Sequence, residues 1–293
     1  MVLAGGRSSR MGSPKAALEW HGSTLLRRTV GIVARATDGP VAVVRARGQE
    51  LPALPGDTVV VDDPRDGKGP VQGIAAGLAA LSGQAEAAFV TSTDLPFLHP
   101  AFIRRVLRVL GAPAGPDAGG PDDAGPDVAL PDVALPVARG YPQPLAAAYR
   151  TGLAELAERL VKEDRLRPAF LFAECSVTRL DDAALLADPV LAALDPDLDS
   201  VLNVNTPDDY REARRRAAPA VTVQLFGALV KAGRAAGPRA VRAATVQAAA
   251  DAVGLPFGRH VTAALNGDQI TRDPGAPLAA GDTVFFMSAD AGG

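Results

Sequence analysis

The chain has 293 residues, of which 47% are hydrophobic and 22% charged, and its formal net charge is -3. This composition is typical of a soluble globular protein with two domains or one large one, and the charge balance gives no support for nucleic-acid binding. A single cysteine, Cys175, excludes an internal disulfide and a cysteine-rich zinc site. We see no signal peptide and no apolar run of membrane-spanning length, so we expect a cytoplasmic protein without membrane contact.

The first eighteen residues, MVLAGGRSSRMGSPKAAL, carry the strongest functional signal. A short apolar strand, residues 1–3, leads into Gly5 and Gly6, which allow a tight turn and close approach of a ligand to the backbone. Arg10 and Lys15 add positive charge to this turn, whose successive amides form an anion-binding concavity. The spacing fits neither the P-loop nor the dinucleotide-binding glycine pattern. A turn with solvated basic residues is the alternative, but the stretch favours a nucleotide polyphosphate site.

Strands and helices alternate through the next 200 residues. The apolar pattern predicts buried parallel strands at 41–44 and 58–61, a further strand at 87–91, and helices near 25–33, 74–81, 100–110 and 151–161. This alternation predicts an α/β fold with a doubly wound, mostly parallel sheet. Thr206, followed by Pro207 and two acidic residues, predicts the start of a last helix in this part.

Residues 111–136 differ sharply in composition, being rich in Pro, Gly, Asp and Ala. The sequence Pro-Asp-Val-Ala-Leu occurs twice in tandem, at 126–130 and 131–135. We expect a mobile insert at about 111–131, because this segment buries too little apolar surface to offset the entropy of ordering. The second copy predicts a strand at 132–137; two real strands are the less favoured alternative.

A break at Pro219 separates the first domain, residues 1–216, from a second domain, residues 220–293. The second predicts strands at 221–226, 261–265 and 283–287, and a strand and helix within 241–253, with Thr245 as a possible N-cap. Asn266-Gly267 is a strong hairpin signal. The pattern indicates a compact ββαβ-type domain.

Two aspartates follow predicted strands. Asp94 lies just past the strand at 87–91, and Asp63 follows the strand at 58–61, with Asp62 as its alternative. Ligands of open parallel sheets bind at the carboxyl ends of the strands. Since Mg²⁺ takes one or two carboxylates plus phosphate oxygens, Asp94 is predicted to hold Mg²⁺ on a bound polyphosphate. A turn-capping aspartate is the alternative.

The segment LAGGRSSRMGSPK resembles the signature loop of the molybdenum cofactor guanylyltransferases, which are MobA-like members of the nucleotidyltransferase superfamily. The resemblance implies transfer of GMP from GTP to molybdopterin, with Arg10, Lys15 and Asp94 as catalytic residues and Asp94 as the magnesium ligand. Cytidylyltransferase relatives typically have Leu-Ala-Ala-Gly in this loop, so Gly5 favours guanine. The nucleotide-binding residues implied are Leu3, Ala4, Gly5, Gly6, Lys15, Asp63, Gly69 and Asp94.

The same resemblance places three residues on the molybdopterin side of the cleft: Gln143, Asn203 and Asn205. One position departs from the family, which often has an asparagine after its second strand. This chain has Arg45 there, so the prediction of base specificity is weaker at that contact.

The C-terminal sequence LAAGDTVFF, at 278–286, together with the final Gly292 and Gly293, resembles the small sulfur-carrier subunit of molybdopterin synthase, of the MoaD/ThiS type. That resemblance implies a ubiquitin-like β-grasp fold and a terminal glycine that is adenylated and converted to a thiocarboxylate. The implied partners are the large subunit of molybdopterin synthase and a MoeB-like adenylyltransferase.

The sequence therefore predicts a fusion of a guanylyltransferase with a sulfur carrier. Two alternatives remain open. The enzyme could use CTP or a sugar phosphate, or the first domain could be catalytically degraded on a carrier and interaction protein.

Overall fold

The computed structural model describes residues 1–5, 14–64, 67–111, 130–231 and 237–289. Most of the predicted mobile insert falls outside these ranges. So do four residues for which the sequence predicts a function: Gly6, Arg10, Gly292 and Gly293.

The first 216 residues form most of the elements. The strands are β1 (Val2–Leu3), β2 (Glu19–Trp20), β3 (Ser23–Thr24), β4 (Ala42–Arg45), β5 (Val59–Asp62), β6 (Ala87–Ser92), β7 (Val133–Ala138), β8 (Tyr141–Pro142), β9 (Ala146–Arg150) and β10 (Val177–Asp181). The α-helices are α1 (Leu25–Ala34), α2 (Gly69–Leu81), α3 (Pro100–Arg108), α4 (Ala154–Lys162), α5 (Pro168–Phe172), α6 (Asp182–Leu186), α7 (Pro189–Leu194) and α8 (Pro207–Arg215). Most predicted elements are confirmed within a few residues, whereas the strands β2, β3, β8 and β9 and the elements from α5 to α7 were not predicted.

The large sheet has the strand order β10-β7-β9-β6-β1-β4-β5 in the described part of the chain, with β8 paired to β7. Along this order only β9 is antiparallel to its neighbours, so the predicted mostly parallel α/β sheet is confirmed. The chain first moves from β1 to β4 and β5, and then crosses to β6 on the other side of β1. The strand order therefore reverses between β1 and β6, which is where open α/β sheets bind ligands.

The sheet lies between two layers of helices. Side chains of α1 and α3, including Val30 and Phe102, pack in one apolar cluster with Val43 from the sheet. On the opposite face, Ile74 of α2 and Leu160 of α4 belong to a second cluster. This three-layer arrangement buries both faces of the central strands.

The strand β5 corrects one prediction. Its residues Val59 and Val60 are 36% and 44% exposed, although the β-branched run predicted a buried strand. The reason is position, since β5 ends the strand order of this sheet in the described residues.

The C-terminal residues form a separate sheet. Its elements are β11 (Ala220–Leu225), α9 (Ala228–Lys231), β12 (Arg239–Arg242), α10 (Val246–Ala252), β13 (Val261–Leu265), β14 (Gln269–Thr271) and β15 (Thr283–Ser288). In the described residues the strand order is β12-β11-β15-β13-β14, with β11 and β15 parallel and the other pairs antiparallel. Thr245 caps α10 by accepting from the Ala248 amide, and Asn266-Gly267 turns β13 into β14, both as predicted. We call the residues from 220 onward the C-terminal module.

A membrane-spanning helix is not found among the described residues, since none of their helices is both long and apolar enough.

Candidate active site

The register of the large sheet brings the predicted site residues to one edge. Leu3 of β1 pairs with Ser92 of β6 and with Val44 of β4, and Val44 pairs in turn with Val61 of β5. All four strands run in the same direction, so their carboxyl ends share this edge. Two residues beyond that row, the edge carries Asp94, Gly5, Ala46 and Asp63, in the order of their strands.

Asp94 lies at the centre of a small polar cluster. Lys15 Nζ is 3.4 Å from Asp94 Oδ2 and donates to Asn205 Oδ1 at 3.1 Å. The Ser92 hydroxyl donates to the other carboxylate oxygen of Asp94. The side chains of Lys15 and Asp94 are 20% and 21% exposed, so a ligand from solvent can reach them. Three predicted site residues, far apart in sequence, thus meet at the β1–β6 crevice.

The segment that carries Asn205 is fixed by hydrogen bonds of its backbone. The Val204 amide donates to the Asp94 carbonyl oxygen at 2.9 Å, which ties the segment carrying Asn205 to the end of β6. The amides of Asn205 and Thr206 donate to Asp209 Oδ2, and these bonds lower the pKa of the Asp209 carboxyl. Thr206 accepts in return from the Asp209 amide, which completes a capping box at the predicted start of α8.

Gly5 is required by the close approach of β4. The amides of Ala4 and Gly5 both donate to the Val44 carbonyl oxygen, at 2.8 and 3.2 Å. A Cβ atom on Gly5 would lie 3.1 Å from the backbone nitrogen of Ala46, which cannot move independently of its strand. The glycine that suggested guanine therefore also has a packing role.

Sequence reasoning missed Gln49. Its side-chain amide donates to the Ala4 carbonyl oxygen and accepts from the Ala46 amide, both at 3.0 Å. Gln49 therefore links the end of β1 to the end of β4 by hydrogen bonds, beside the Gly5 turn. No sequence pattern marks this glutamine, because it lies in an irregular loop.

Arg45 occupies the position where the family often has an asparagine, and its side chain makes other contacts. Its Nε donates to Asp62 Oδ1 at 2.7 Å, and its Nη1 donates to the Gln49 carbonyl oxygen at 3.0 Å. Asp62, the alternative to Asp63, is thus engaged by Arg45.

Asp63 lies well to one side of Asp94. Three strand spacings separate β6 from β5 in the sheet order, which corresponds to about 14 Å at the usual spacing of neighbouring strands. The two carboxylates are therefore too far apart to share one metal ion. A nucleotide spanning the edge could contact Asp94 with its phosphates and Asp63 with its nucleoside.

The remaining predicted residues lie around this centre. Gln143, on the β9 side of β6, donates to the carbonyl oxygens of Ala138 and Tyr141 at 3.3 and 3.2 Å, so its amide group closes the β7–β8 turn. Asn203 is exposed in the segment that precedes α8. Gly69 opens α2 with a φ of +72°, and a Cβ atom there would lie 3.3 Å from the Leu166 carbonyl oxygen.

A protein-only metal cage is not found among the described residues, where no three His, Cys, Asp or Glu side chains converge. Mg²⁺ does not require one, because it is commonly bound by one or two carboxylates plus substrate phosphates. The carboxylate of Asp94, which solvent can reach and Ser92 orients, fits that donor set.

Comparison with known proteins agrees with this geometry. The MobA-like NTP transferase domain matches residues 1–178. The chain belongs to this family. It is therefore a nucleotidyltransferase, and the predicted enzyme class is confirmed.

Individual relatives match a larger share of the chain, 72–73%. A probable molybdenum cofactor guanylyltransferase of Mycobacterium avium is 33% identical, over 72% of this chain and 92% of its own length. One from Bacillus cereus is 26% identical, over 73% and 94%. The crystal structure of molybdopterin-guanine dinucleotide biosynthesis protein A from Archaeoglobus fulgidus has a TM-score of 0.53 and 22% identity, over 73% of this chain and 95% of that one. The last likeness concerns the fold alone, and the sulfur-carrier resemblance stays a prediction.

Proposed function

We propose that this nucleotidyltransferase transfers GMP from GTP to molybdopterin and releases pyrophosphate. The observation that carries the proposal is the cluster of Lys15, Asp94 and Asn205 beside the Gly5 turn, at the point where the strand order reverses. The names of the relatives, which are molybdenum cofactor guanylyltransferases, support this choice of donor and acceptor.

The reaction joins a phosphate oxygen of molybdopterin to the α-phosphorus of GTP while the bond from that phosphorus to the pyrophosphate oxygen breaks. Such chemistry depends on alignment and on neutralising charge more than on a covalent intermediate. The Lys15 ammonium group is close enough to Asp94 to contact a phosphate bound at that carboxylate. Asn205 holds the ammonium group in this direction through its side-chain oxygen.

Mg²⁺ is the metal we propose, with Asp94 as its protein ligand and phosphate oxygens completing the shell. When bound, it would neutralise charge on the α-phosphate and on the leaving group. The Ser92 hydroxyl, which donates to Asp94 Oδ1, leaves the other carboxylate oxygen directed toward Lys15. Asp94 is thus oriented by the protein before substrate arrives.

The strand order suggests which substrate lies on which side. Gly5, Gln49 and Asp63 lie on the β4 and β5 side of Asp94, where we place the nucleoside. Gln143 lies on the β9 and β7 side, and there we place the acceptor. Asn205 and Asp94 lie between the two sides, at the position of the phosphates.

The test compares GTP with CTP, each labelled in the α-phosphate, with molybdopterin and Mg²⁺ present. We expect labelled dinucleotide and pyrophosphate from GTP, and their loss in Lys15→Met. Lys162→Met is the matched control, since Lys162 lies on the exposed face of α4, where it pairs with Glu158. Transfer from CTP alone, or no transfer by the wild type, would overturn the proposal.

We further propose that the C-terminal module is a sulfur carrier with a ubiquitin-like β-grasp fold. The strand order β12-β11-β15-β13-β14 supports this, since the first and last strands are parallel neighbours at the centre and α10 packs on the sheet. The resemblance of residues 278–286, with Gly292 and Gly293, to the MoaD/ThiS-type carriers supports the same proposal, although these two glycines lie outside the described residues.

In this proposal a MoeB-like adenylyltransferase transfers AMP from ATP to the terminal carboxylate and releases pyrophosphate. Sulfide then displaces AMP, which leaves with one carboxylate oxygen, and the thiocarboxylate is delivered to the large subunit of molybdopterin synthase. Intact-mass measurement after incubation with the adenylyltransferase, ATP and sulfide should show one oxygen replaced by sulfur. Deleting Gly292 and Gly293 should abolish that gain and leave GMP transfer unchanged; equal loss of both activities contradicts a separate carrier function.

A further inference from the structure

The C-terminal module is attached to the first domain through α1. Arg35, at the C-cap of α1, makes a two-fold contact with Asp282: Nη2 donates to Oδ1 at 2.7 Å and Nη1 to Oδ2 at 2.8 Å. The two side chains are only 9% and 6% exposed. Burial raises the pKa of Asp282, but the hydrogen bonds and charge of Arg35 outweigh it, so the pKa lies below its ordinary value.

Further contacts between the C-terminal module and α1 lie along the helix. Arg27 Nη2 donates to both carboxylate oxygens of Asp273, at 2.6 and 2.7 Å. Gly31 lies between the two arginines, and a Cβ atom there would come within 2.5 Å of the Pro277 ring. The absence of a side chain at Gly31 therefore lets the module's backbone lie directly on α1.

Arg28 links the module to the catalytic edge. Its Nε donates to the Pro96 carbonyl oxygen at 2.8 Å, and its Nη1 donates to the Leu278 carbonyl oxygen at 3.0 Å. The residue is 7% exposed. Pro96 lies two residues after Asp94, so one buried guanidinium group holds both the loop that follows Asp94 and the C-terminal module.

His99 makes a second link of the same kind. Its Nδ1 accepts from the Ala101 amide at 3.1 Å, so this nitrogen carries no proton and Nε2 does. Nε2 then donates to the Ala280 carbonyl oxygen at 3.0 Å. The segment from Asp94 to the start of α3 is thus held near both ends by carbonyl groups of residues 278–280.

We propose that residues 278–282 of the C-terminal module are a working part of the transferase site. When docked on α1, they fix the loop 94–101 through Arg28 and His99 and so hold Asp94 at the β1–β6 crevice. When the module undocks, this loop loosens and transfer slows. The effect on transfer rests on the function proposed above, whereas the effect on loop order does not.

The geometry makes docking both favourable and reversible. Only residues 216–219 connect α8 to β11, and so short a tether keeps the module at a high effective concentration near α1. The contacts on α1 combine ion pairs and single hydrogen bonds with the packing of Pro277 on Gly31 and of Ala279 in the apolar cluster that contains Val30, and interfaces between domains of one chain commonly allow relative motion. A partner that pulls the module away from α1 would therefore loosen the loop that carries Asp94.

The test uses the full chain with Asp282→Asn, an isosteric change that removes the ion pair and touches no residue at the catalytic edge. Hydrogen exchange measured by mass spectrometry should become faster in a peptide covering 95–103. The kcat for GMP transfer should fall about tenfold with little change in the KM for GTP, because small misplacements of a catalytic group are costly. Asp251→Asn, on α10, is the matched control, since Asp251 accepts from Gln247 within the module, and it should change neither quantity.

Arg28→Lys is the second variant, and it is used if the Asp282→Asn protein does not fold. A lysine ammonium group lacks the fixed fork that spans two carbonyl oxygens, so exchange in 95–103 should again accelerate while Asp282 stays paired. Wild-type exchange and wild-type kcat in either folded variant would overturn the proposal, as would an increase in kcat. Loss of GMP transfer in the wild type would instead refute the proposed function, and the exchange data would still report on docking.

Discussion

Two ion pairs of this protein differ in what they allow. Lys15 and Asp94 are separated by 3.4 Å and are each about one-fifth exposed, so their charges can be shared with a ligand from solvent. Arg35 and Asp282 are more than nine-tenths buried, and Asp282 also accepts from Asn266 and from the Ala279 amide. The first pair can exchange partners with a ligand during a reaction, whereas the second is closed to solvent and links α1 to the C-terminal module.

The largest effect that follows from this contrast is on turnover. Asp94→Ala removes the only carboxylate proposed to hold the metal, so we expect GMP transfer to fall by roughly 10³ or more. The free energy of unfolding should change by less than about 1 kcal/mol, because the side chain is partly exposed. Labelled-GTP turnover and urea unfolding measure the two quantities, and wild-type turnover would refute the role of Asp94.

For the buried pair of Arg35 and Asp282, the expected effect is on the free energy of unfolding. Asp282→Ala leaves the Arg35 guanidinium group buried without its carboxylate, which should cost about 3–5 kcal/mol of unfolding free energy. Denaturant unfolding, followed by circular dichroism, measures this cost. The control Asp251→Ala, at an exposed helical position, should change it by less than about 0.5 kcal/mol; a similar loss in both variants would mean that the pair has no special role.

The sequence could predict features that depend on neighbouring residues. Thr206 precedes Pro207 and lies three residues before Asp209, so the capping box is visible in the sequence. Asn266-Gly267 fixes its hairpin for the same local reason. Asp94 could also be located, because the end of an apolar strand and the ligand-binding edge of a parallel sheet coincide.

Features that depend on distant contacts could not be predicted. Arg28 contacts Pro96 and Leu278, which are 68 and 250 residues away, and nothing in the local pattern distinguishes it from its neighbour Arg27. His99 likewise contacts the Ala280 carbonyl oxygen, 181 residues away, and the residues around His99 in the sequence do not indicate that contact. The exposure of β5 follows from strand order, which the run of valines does not encode.

A smaller effect should show whether Gly5 is needed for packing against β4 or for selecting guanine. Gly5→Ala places a Cβ atom 3.1 Å from the Ala46 backbone nitrogen, so β1 and β4 must separate slightly at the site. We expect kcat/KM for GTP to fall about tenfold, equivalent to about 1.4 kcal/mol. The competing outcome is a switch of preference from GTP to CTP, which would mean that this residue selects the base; assaying both donors with the variant decides between them.

The smallest expected effect is a pH dependence of docking, carried by His99. Burial lowers the pKa of His99 below 6.5; hydrogen bonding to Ala280 and the charges of Asp282 and Asp195 partly oppose this, and Arg35 reinforces it. The unfolded chain therefore binds a proton at this histidine before the folded chain does, so stability is retained above pH 6.5 and lost as the pH falls below that value, by at most about 1.4 kcal/mol per pH unit. In His99→Asn, the side-chain oxygen can still accept from the Ala101 amide, but no titratable group remains. Thermal unfolding between about pH 5 and pH 7.5 should thus show a shallower dependence in the variant, and parallel curves would assign the acid sensitivity to other groups, such as His21.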